Sequence, residues 1–81
     1  MNVLMYTKRN CSFCDKAKML LNIKGVSYTE SVIGEDILRE DFMATFPNVL
    51  SVPFILIDGT KVGGYEQLRE YFDNKPTFIQ D

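Results

Sequence analysis

At 81 residues the chain has room for a single domain spanning 1–81, and its 46% hydrophobic and 25% charged content excludes intrinsic disorder and fibrous repeats. The net charge of −2 comes from scattered Lys, Arg, Asp and Glu, which leaves no basic stripe for a phosphate backbone and excludes nucleic acid as an expected partner. Apolar runs such as Phe54-Ile55-Leu56-Ile57 are far shorter than the ~20 residues of a membrane helix, and the N-terminus has neither a basic leader nor a small-residue cleavage site, so a cytoplasmic protein with no membrane span is expected.

Val3-Leu4-Met5-Tyr6 is a short run of strand formers, predicted as the first strand. From Cys11 the period changes. Cys14, Ala17, Leu20, Leu21 and Lys24 fall on one helical face, with Asn10 as candidate N-cap and Gly25 as the stop. Val26 to Val32 has strand composition, and Glu30 interrupts its apolar alternation as on an edge strand. A helix joining two neighbouring strands predicts a parallel, right-handed βαβ unit. The spacing of Leu38, Phe42 and Phe46 predicts a second helix closed by Pro47.

Pro53 opens Phe54–Ile57, whose unbroken apolar character predicts a central strand buried on both faces. Asp58-Gly59 is a hairpin turn, Thr60–Val62 returns antiparallel, and Gly63-Gly64 ends that strand. A last helix is predicted over Tyr65–Phe72, burying Leu68 and Phe72, with a tail whose Phe78 and Ile79 are expected to dock back. The order β-α-β-α-β-β-α describes an α/β fold, a four-stranded mixed sheet flanked by three helices on both faces. That is the minimal thioredoxin-like arrangement.

Cys11-Ser12-Phe13-Cys14 sits where the first strand passes into the first helix. A disulfide enclosing two residues constrains too little chain to serve stability, and two Cys without any His cannot complete a four-ligand zinc site, so no metal is assigned. At a helix N-terminus, unpaired N–H groups and the helix dipole stabilise a thiolate. Cys11 is therefore the expected nucleophile. Lys8 and Arg9 add positive potential while Asp15 opposes it. Cys14, one turn further in, is placed to attack a mixed disulfide at Cys11 and release the partner as a thiol. Two buried structural cysteines would be the ordinary alternative, but burial gives no reason for this spacing at a helix start. Phe13 lies at a site that must stay open, so it is expected as an exposed contact. Pro53 and Gly63-Gly64 also have ordinary readings, as a strand start and a strand exit.

Taken together, Cys11-Ser12-Phe13-Cys14, Ser51-Val52-Pro53 and Gly63-Gly64-Tyr65 resemble the glutaredoxin family in order and separation across nearly the whole chain. The resemblance implies a thiol-disulfide oxidoreductase with glutathione as cosubstrate and no tightly bound cofactor. It implies a cis peptide bond before Pro53 and a Val52 backbone that pairs with the cysteinyl part of glutathione. Lys8 matches the family's basic residue near the glycine carboxylate, and Phe13 its aromatic beside the nucleophile. Gly64, Tyr65, Glu66 and Gln67 match the segment that holds the γ-glutamyl end. Three departures stand out: Ser12 and Phe13 replace the usual Pro-Tyr, Ser51 replaces a threonine, and Gln67 stands where an aspartate commonly receives the glutathione ammonium. A neutral amide holds that ammonium less strongly, with Glu66 as the neighbouring carboxylate. The run from Gly64 to Phe72 looks most like the short glutaredoxins of bacteriophages, whose implied client is ribonucleotide reductase.

The expected partners are glutathione and disulfide-containing client proteins, with the chain acting as a monomer. Two other readings remain open. One is a glutaredoxin-like donor recharged by thioredoxin reductase. The other, motivated by Ser12, is a module that holds a [2Fe–2S] cluster between two subunits with glutathione thiols as further ligands. Thioredoxin itself fits less well, because the chain has no Trp.

Overall fold

A computed structural model describes residues 1–73 of the chain. Its elements are β1 (Val3–Thr7), α1 (Ser12–Ile23), β2 (Thr29–Val32), α2 (Arg39–Thr45), β3 (Phe54–Ile57), β4 (Thr60–Gly63) and α3 (Tyr65–Asp73). The four strands form one sheet in the order β2-β1-β3-β4. β1 pairs parallel with β2 and antiparallel with β3, and β4 returns antiparallel on the outer side of β3. This is the mixed thioredoxin-like sheet expected from the sequence. The docking expected of Phe78 and Ile79 lies outside the described residues.

Period-2 alternation sends the side chains of the two central strands to opposite faces. On one face Val3, Met5, Ile55 and Ile57 pack with Ala17 and Leu21 of α1 and Leu68 of α3 into the main buried core. On the other face the rings of Tyr6 and Phe54 meet Phe42 and Phe46 at the α2 side, with centroids 4.9 to 6.3 Å apart. β3 is thus covered from both sides, although Leu56 is only half-buried.

β2 and α2 both begin later than the sequence suggests, each for a local reason. β2 begins at Thr29 rather than Val26, because Val26 belongs to the end of α1. Its N–H donates to the Leu21 carbonyl at 2.9 Å, and the Gly25 N–H donates to the Asn22 carbonyl at 3.0 Å. With Gly25 at φ +71°, this is the six-to-one and five-to-two pattern of a Schellman stop. Leu38, expected on the buried face of α2, is 63% exposed. It is the extended N-cap residue, with φ −67° and ψ 143°, and so stands outside the helical period that places Phe42 in the core.

Glu30 does mark an edge strand, and it also has a structural partner that periodicity does not reveal. Its carboxylate accepts from the hydroxyl of fully buried Thr7 at 2.6 Å and pairs with Lys18 Nζ at 2.7 Å, tying α1 to the β1–β2 edge. The Lys18 ammonium first, and the Thr7 hydroxyl second, hold the Glu30 carboxyl below its ordinary value. A lowered folded value stabilises the fold above the unfolded carboxyl pKa of about 4.3 and loses that contribution as pH falls through it. Glu30→Gln is therefore expected to cost about 1 kcal/mol at pH 7 and to flatten the loss of stability below pH ~4.5. Urea midpoints of both proteins from pH 7 to pH 3 measure this, and parallel curves would contradict it.

Candidate active site

The start of α1 is built by Asn10 and Cys11. Asn10, the expected N-cap, instead takes the left-handed conformation at φ 55°, which asparagine tolerates better than most residues. That turn delivers Cys11 to the N-cap position with extended backbone, φ −122° and ψ 103°. Its Sγ accepts from the Cys14 N–H at 3.1 Å, so the sulfur itself caps the helix. A serine or aspartate side chain commonly satisfies that N–H. In the reduced protein the same N–H and the positive end of the helix dipole would favour negative charge on the Cys11 sulfur.

Cys11 is half-buried, whereas Cys14 is 1% exposed, and the two form a disulfide with Cα atoms 5.2 Å apart. The difference in access divides their chemistry. An incoming disulfide can reach Cys11 but not Cys14, and Cys14 lies within bonding range of Cys11.

The second wall comes from the loop before β3. The Val52–Pro53 peptide bond is cis and Pro53 is buried. The Val52 carbonyl oxygen lies 3.8 Å from Cys11 Sγ, which puts a main-chain acceptor beside that sulfur. Gly63 and Gly64 complete this wall. A Cβ on Gly64 would stand 3.4 Å from the Pro53 carbonyl oxygen, so the glycine borders the proline directly. Gly63 has φ +121°, and a Cβ there would approach Gln67 Cγ to 3.0 Å, so the strand exit requires glycine on both counts. Tyr65 follows, its ring 6.1 Å from that of Phe13, which is 50% exposed as expected and has Lys16 Nζ 4.9 Å above its ring.

Lys8 is exposed and shares with Val52 a groove of about 530 Å³ that also reaches α2. Arg9 does not add free charge to this rim. Its guanidinium is bound to both carboxylate oxygens of Glu35, an exposed pair that holds Glu35 below the ordinary carboxyl value.

Glu66 and Gln67 are occupied locally. Glu66 Oε1 pairs with Arg69 Nη2 at 2.9 Å across one turn of α3. Gln67 Oε1 accepts from the Gly64 N–H at 3.0 Å, while the Leu68 N–H donates to the Gly64 carbonyl at 2.9 Å. This is the reciprocal half of a capping box, with Gln at N3. Gln67→Ala is expected to lower stability by about 0.5–1 kcal/mol through the lost cap, while Gln67→Glu retains most of it. Thermal unfolding of the two variants checks this, and equal midpoints would refute the capping role. The signal was present in the Gly-x-x-Gln spacing. The arrangement thus gathers Cys11, Cys14, Phe13, Val52, Pro53, Gly64 and Tyr65 at one place, with Lys8 on the adjoining groove.

The same fold recurs in known proteins. The family model described as glutaredoxin matches residues 3–62, most of the chain. The chain belongs to the glutaredoxin family. It is 39% identical over 67 residues to glutaredoxin 3 of Escherichia coli K12, covering 83% of this chain and 81% of that protein. It is 37% identical over 71 residues to hybrid peroxiredoxin hyPrx5 of Haemophilus influenzae, covering 88% of this chain but only 29% of that longer protein. Among solved structures, glutaredoxin 1 from Francisella tularensis superposes with a TM-score of 0.75 at 25% identity, covering 90% of this chain and 93% of that one. The glutaredoxin of buckwheat, solved as a glutathione complex, shares the fold with a TM-score of 0.72 at 20% identity, over 90% of this chain and 70% of that one. Family membership and the Cys11–Cys14 pair at the helix start make this glutaredoxin-family chain a thiol-disulfide oxidoreductase.

Among the described residues no helix is long and apolar enough to cross a membrane, and no group of three or more His, Cys, Asp or Glu is gathered for a metal ion.

Proposed function

We propose that the chain reduces client-protein disulfides and mixed disulfides of glutathione in the cytoplasm, with glutathione as its reductant and ribonucleotide reductase among the clients of this class. The observation that carries the reading is the exposed edge of Cys11 at the helix start, beside the Val52 backbone. The wall of Val52, Pro53 and Gly64 suits a short peptide lying extended past the sulfur, where main-chain groups pair with main-chain groups. Lys8 suits a terminal carboxylate of such a peptide. With Gln67 turned back to cap α3 and Glu66 paired to Arg69, the γ-glutamyl end is met mainly by the Gly64–Tyr65 segment.

The chemistry balances as two exchanges. The Cys11 thiolate attacks one sulfur of the client disulfide, forming a mixed disulfide and releasing the other client cysteine as a thiolate that takes up a proton. Cys14, once its thiol has lost its proton, attacks Cys11 Sγ and releases the second client thiolate. The Cys11–Cys14 disulfide remains, and two electrons have passed to the client. Two glutathione thiols return the pair to the dithiol, leaving glutathione disulfide. On a glutathione mixed disulfide, Cys11 alone suffices, because a second glutathione can replace Cys14 as attacking thiol.

Turnover of a glutathione mixed disulfide of mercaptoethanol, coupled to glutathione and glutathione reductase, tests this reading. Turnover is expected with that couple and not with thioredoxin reductase. Recharging by thioredoxin reductase alone would overturn the glutathione assignment.

A further inference from the structure

Thr7 is the one fully buried polar side chain among the described residues. A hydroxyl taken out of water needs a partner. Its proton goes to Glu30 Oε2 at 2.6 Å, and the direction of that bond is fixed, because an ionised carboxylate can only accept. The Thr7 oxygen is therefore left with lone pairs alone for any other neighbour.

Which neighbour that is follows from the layering of β1 against α1. Val3, Met5 and Thr7 share the buried face of β1, and Cys14, Ala17 and Leu21 are the buried residues of α1. Val3 and Met5 pack in one cluster with Ala17 and Leu21. Thr7 is the next step beyond Met5 toward the active site, and Cys14 is the next step beyond Ala17 in the same direction, so the last layer of this face brings Thr7 and Cys14 together. Lys18, four residues after Cys14 on the neighbouring surface of α1, pairs with the same Glu30 oxygen at 2.7 Å. Arg9 also acts on Glu30 as a cation, and Glu35 acts as a like charge. Asp15 and Tyr28 bear on Lys18. Lys16 lies over Phe13, Lys8 is exposed, and on α3 Glu66 and Arg69 pair with each other, leaving Leu68 as the residue buried from that side.

We infer that Thr7 and Glu30 are positioning residues for the resolving step: Glu30 holds the Thr7 proton, the Thr7 oxygen offers Cys14 an acceptor and no donor, and Cys14 is thereby kept a thiol while Cys11 ionises. An acceptor-only neighbour favours S–H over the thiolate, in the same direction as burial. The inference rests on the proposed reading in which Cys14 resolves a mixed disulfide, and deepens it to the control of that step. There the Cys14 S–H bond breaks, its sulfur bonds to Cys11 Sγ, the bond from Cys11 to the partner sulfur breaks, and the leaving thiolate ends with the proton. Holding back the first event lengthens the life of the mixed disulfide and lets a second glutathione release it instead.

The experiment titrates both thiols of the reduced full chain by the NMR shifts of isotope-labelled cysteine Cβ carbons, in the parent, Glu30→Gln, Thr7→Val, the double variant and Thr7→Ser. In the parent Cys14 is expected to titrate above the free-thiol value of about 8.5. Glu30→Gln removes the charge that holds the hydroxyl proton and lets the hydroxyl turn toward the sulfur, so the Cys14 titration is expected to fall by about one unit with that of Cys11 in place. Thr7→Ser keeps the hydroxyl and is expected to titrate like the parent. In the Thr7→Val background, Glu30→Gln is expected to move Cys14 by less than half as much, the coupling that a shared contact produces. Release of glutathione from Cys11 by Cys14, followed by stopped flow at pH 7, is expected to be about threefold faster in Glu30→Gln, because a roughly tenfold gain in thiolate is partly offset by weaker nucleophilicity. A Cys14 titration unmoved by Glu30→Gln, or moved equally in the Thr7→Val background, would overturn the inference. Failure of Cys11 to take up glutathione, with the titrations as expected, would instead strike the glutathione reading and leave the positioning role standing.

Discussion

Cys11→Ser is expected to abolish disulfide exchange toward every substrate, while Cys14→Ser keeps turnover of glutathione mixed disulfides and loses reduction of client-protein disulfides. The asymmetry follows from where the two sulfurs sit. Cys11 is half-buried at the N-cap, with the Cys14 N–H directed at its sulfur from 3.1 Å, whereas Cys14 is 1% exposed and bonded to Cys11. A substrate sulfur must line up behind the attacking thiolate, and only Cys11 offers that approach. Serine at position 11 still caps the helix, since a hydroxyl oxygen accepts from the same N–H, so the variant is expected to fold and simply lack the nucleophile. Steady-state rates on the two substrate types, with circular dichroism to confirm folding, make the comparison. Retained turnover in Cys11→Ser would reverse the assignment of the two cysteines.

The largest loss of stability is expected from Leu21→Ala. Leu21 is fully buried in the core made by Val3, Met5, Ile55, Ile57 and Leu68, and it sits at the end of α1 far from Cys11. Truncating a fully buried leucine costs about 2–5 kcal/mol, the transfer of the lost methyl groups plus the cavity left behind. A domain of this size has roughly 4–12 kcal/mol in total, so the variant loses a large share of it. Leu50→Ala, at 92% exposure, is expected to stay within about 0.5 kcal/mol of the parent. Urea denaturation of the pair measures the contrast. A Leu21→Ala loss below about 1 kcal/mol would mean that the core is not organised around α1.

The fold was legible wherever a period was long enough to act on. The strand β3, the Asp58-Gly59 turn and the helix α1 follow directly from apolar runs, a turn dipeptide and a 3.6-residue repeat. Asp58 and Gly59 both take positive φ, 52° and 81°, as the hairpin turn demands. The misplaced features are caps. Asn10 has the right chemistry for an N-cap, but the chain uses it for a left-handed turn and gives the capping position to the sulfur of Cys11. Val26 has strand composition, yet its N–H closes the end of α1. Backbone hydrogen bonds at helix ends depend on one residue's φ and ψ, which composition does not determine.

The site shows the same division. Cys11 and Cys14 were readable from spacing and position, because the chemistry needs a thiol at a helix start with a second thiol one turn away. Val52, Pro53 and Gly64 were legible only through the family resemblance, since each has an ordinary structural use and only the fold brings them to Cys11. The pairing of Arg9 with Glu35, 26 residues away, and of Glu30 with Thr7 and Lys18 had no sequence signature. Nor did the convergence of Lys8, Arg39, Met43 and Leu50 on one groove, which arises from a loop, a helix and the segment before β3 meeting at the end of β1.

If Cys11 is the sulfur that exchanges with glutathione, a single covalent adduct must form there. Reduced Cys14→Ser protein is incubated with glutathione disulfide, the excess is removed, and the product is mapped by mass spectrometry with and without prior blocking of free thiols. One glutathione per chain is expected, attached to Cys11, forming readily at pH 7 and released again by added glutathione. Failure to form the adduct at pH 7, while the folded variant's Cys11 is still alkylated by a small electrophile, would contradict glutathione as the partner of this site.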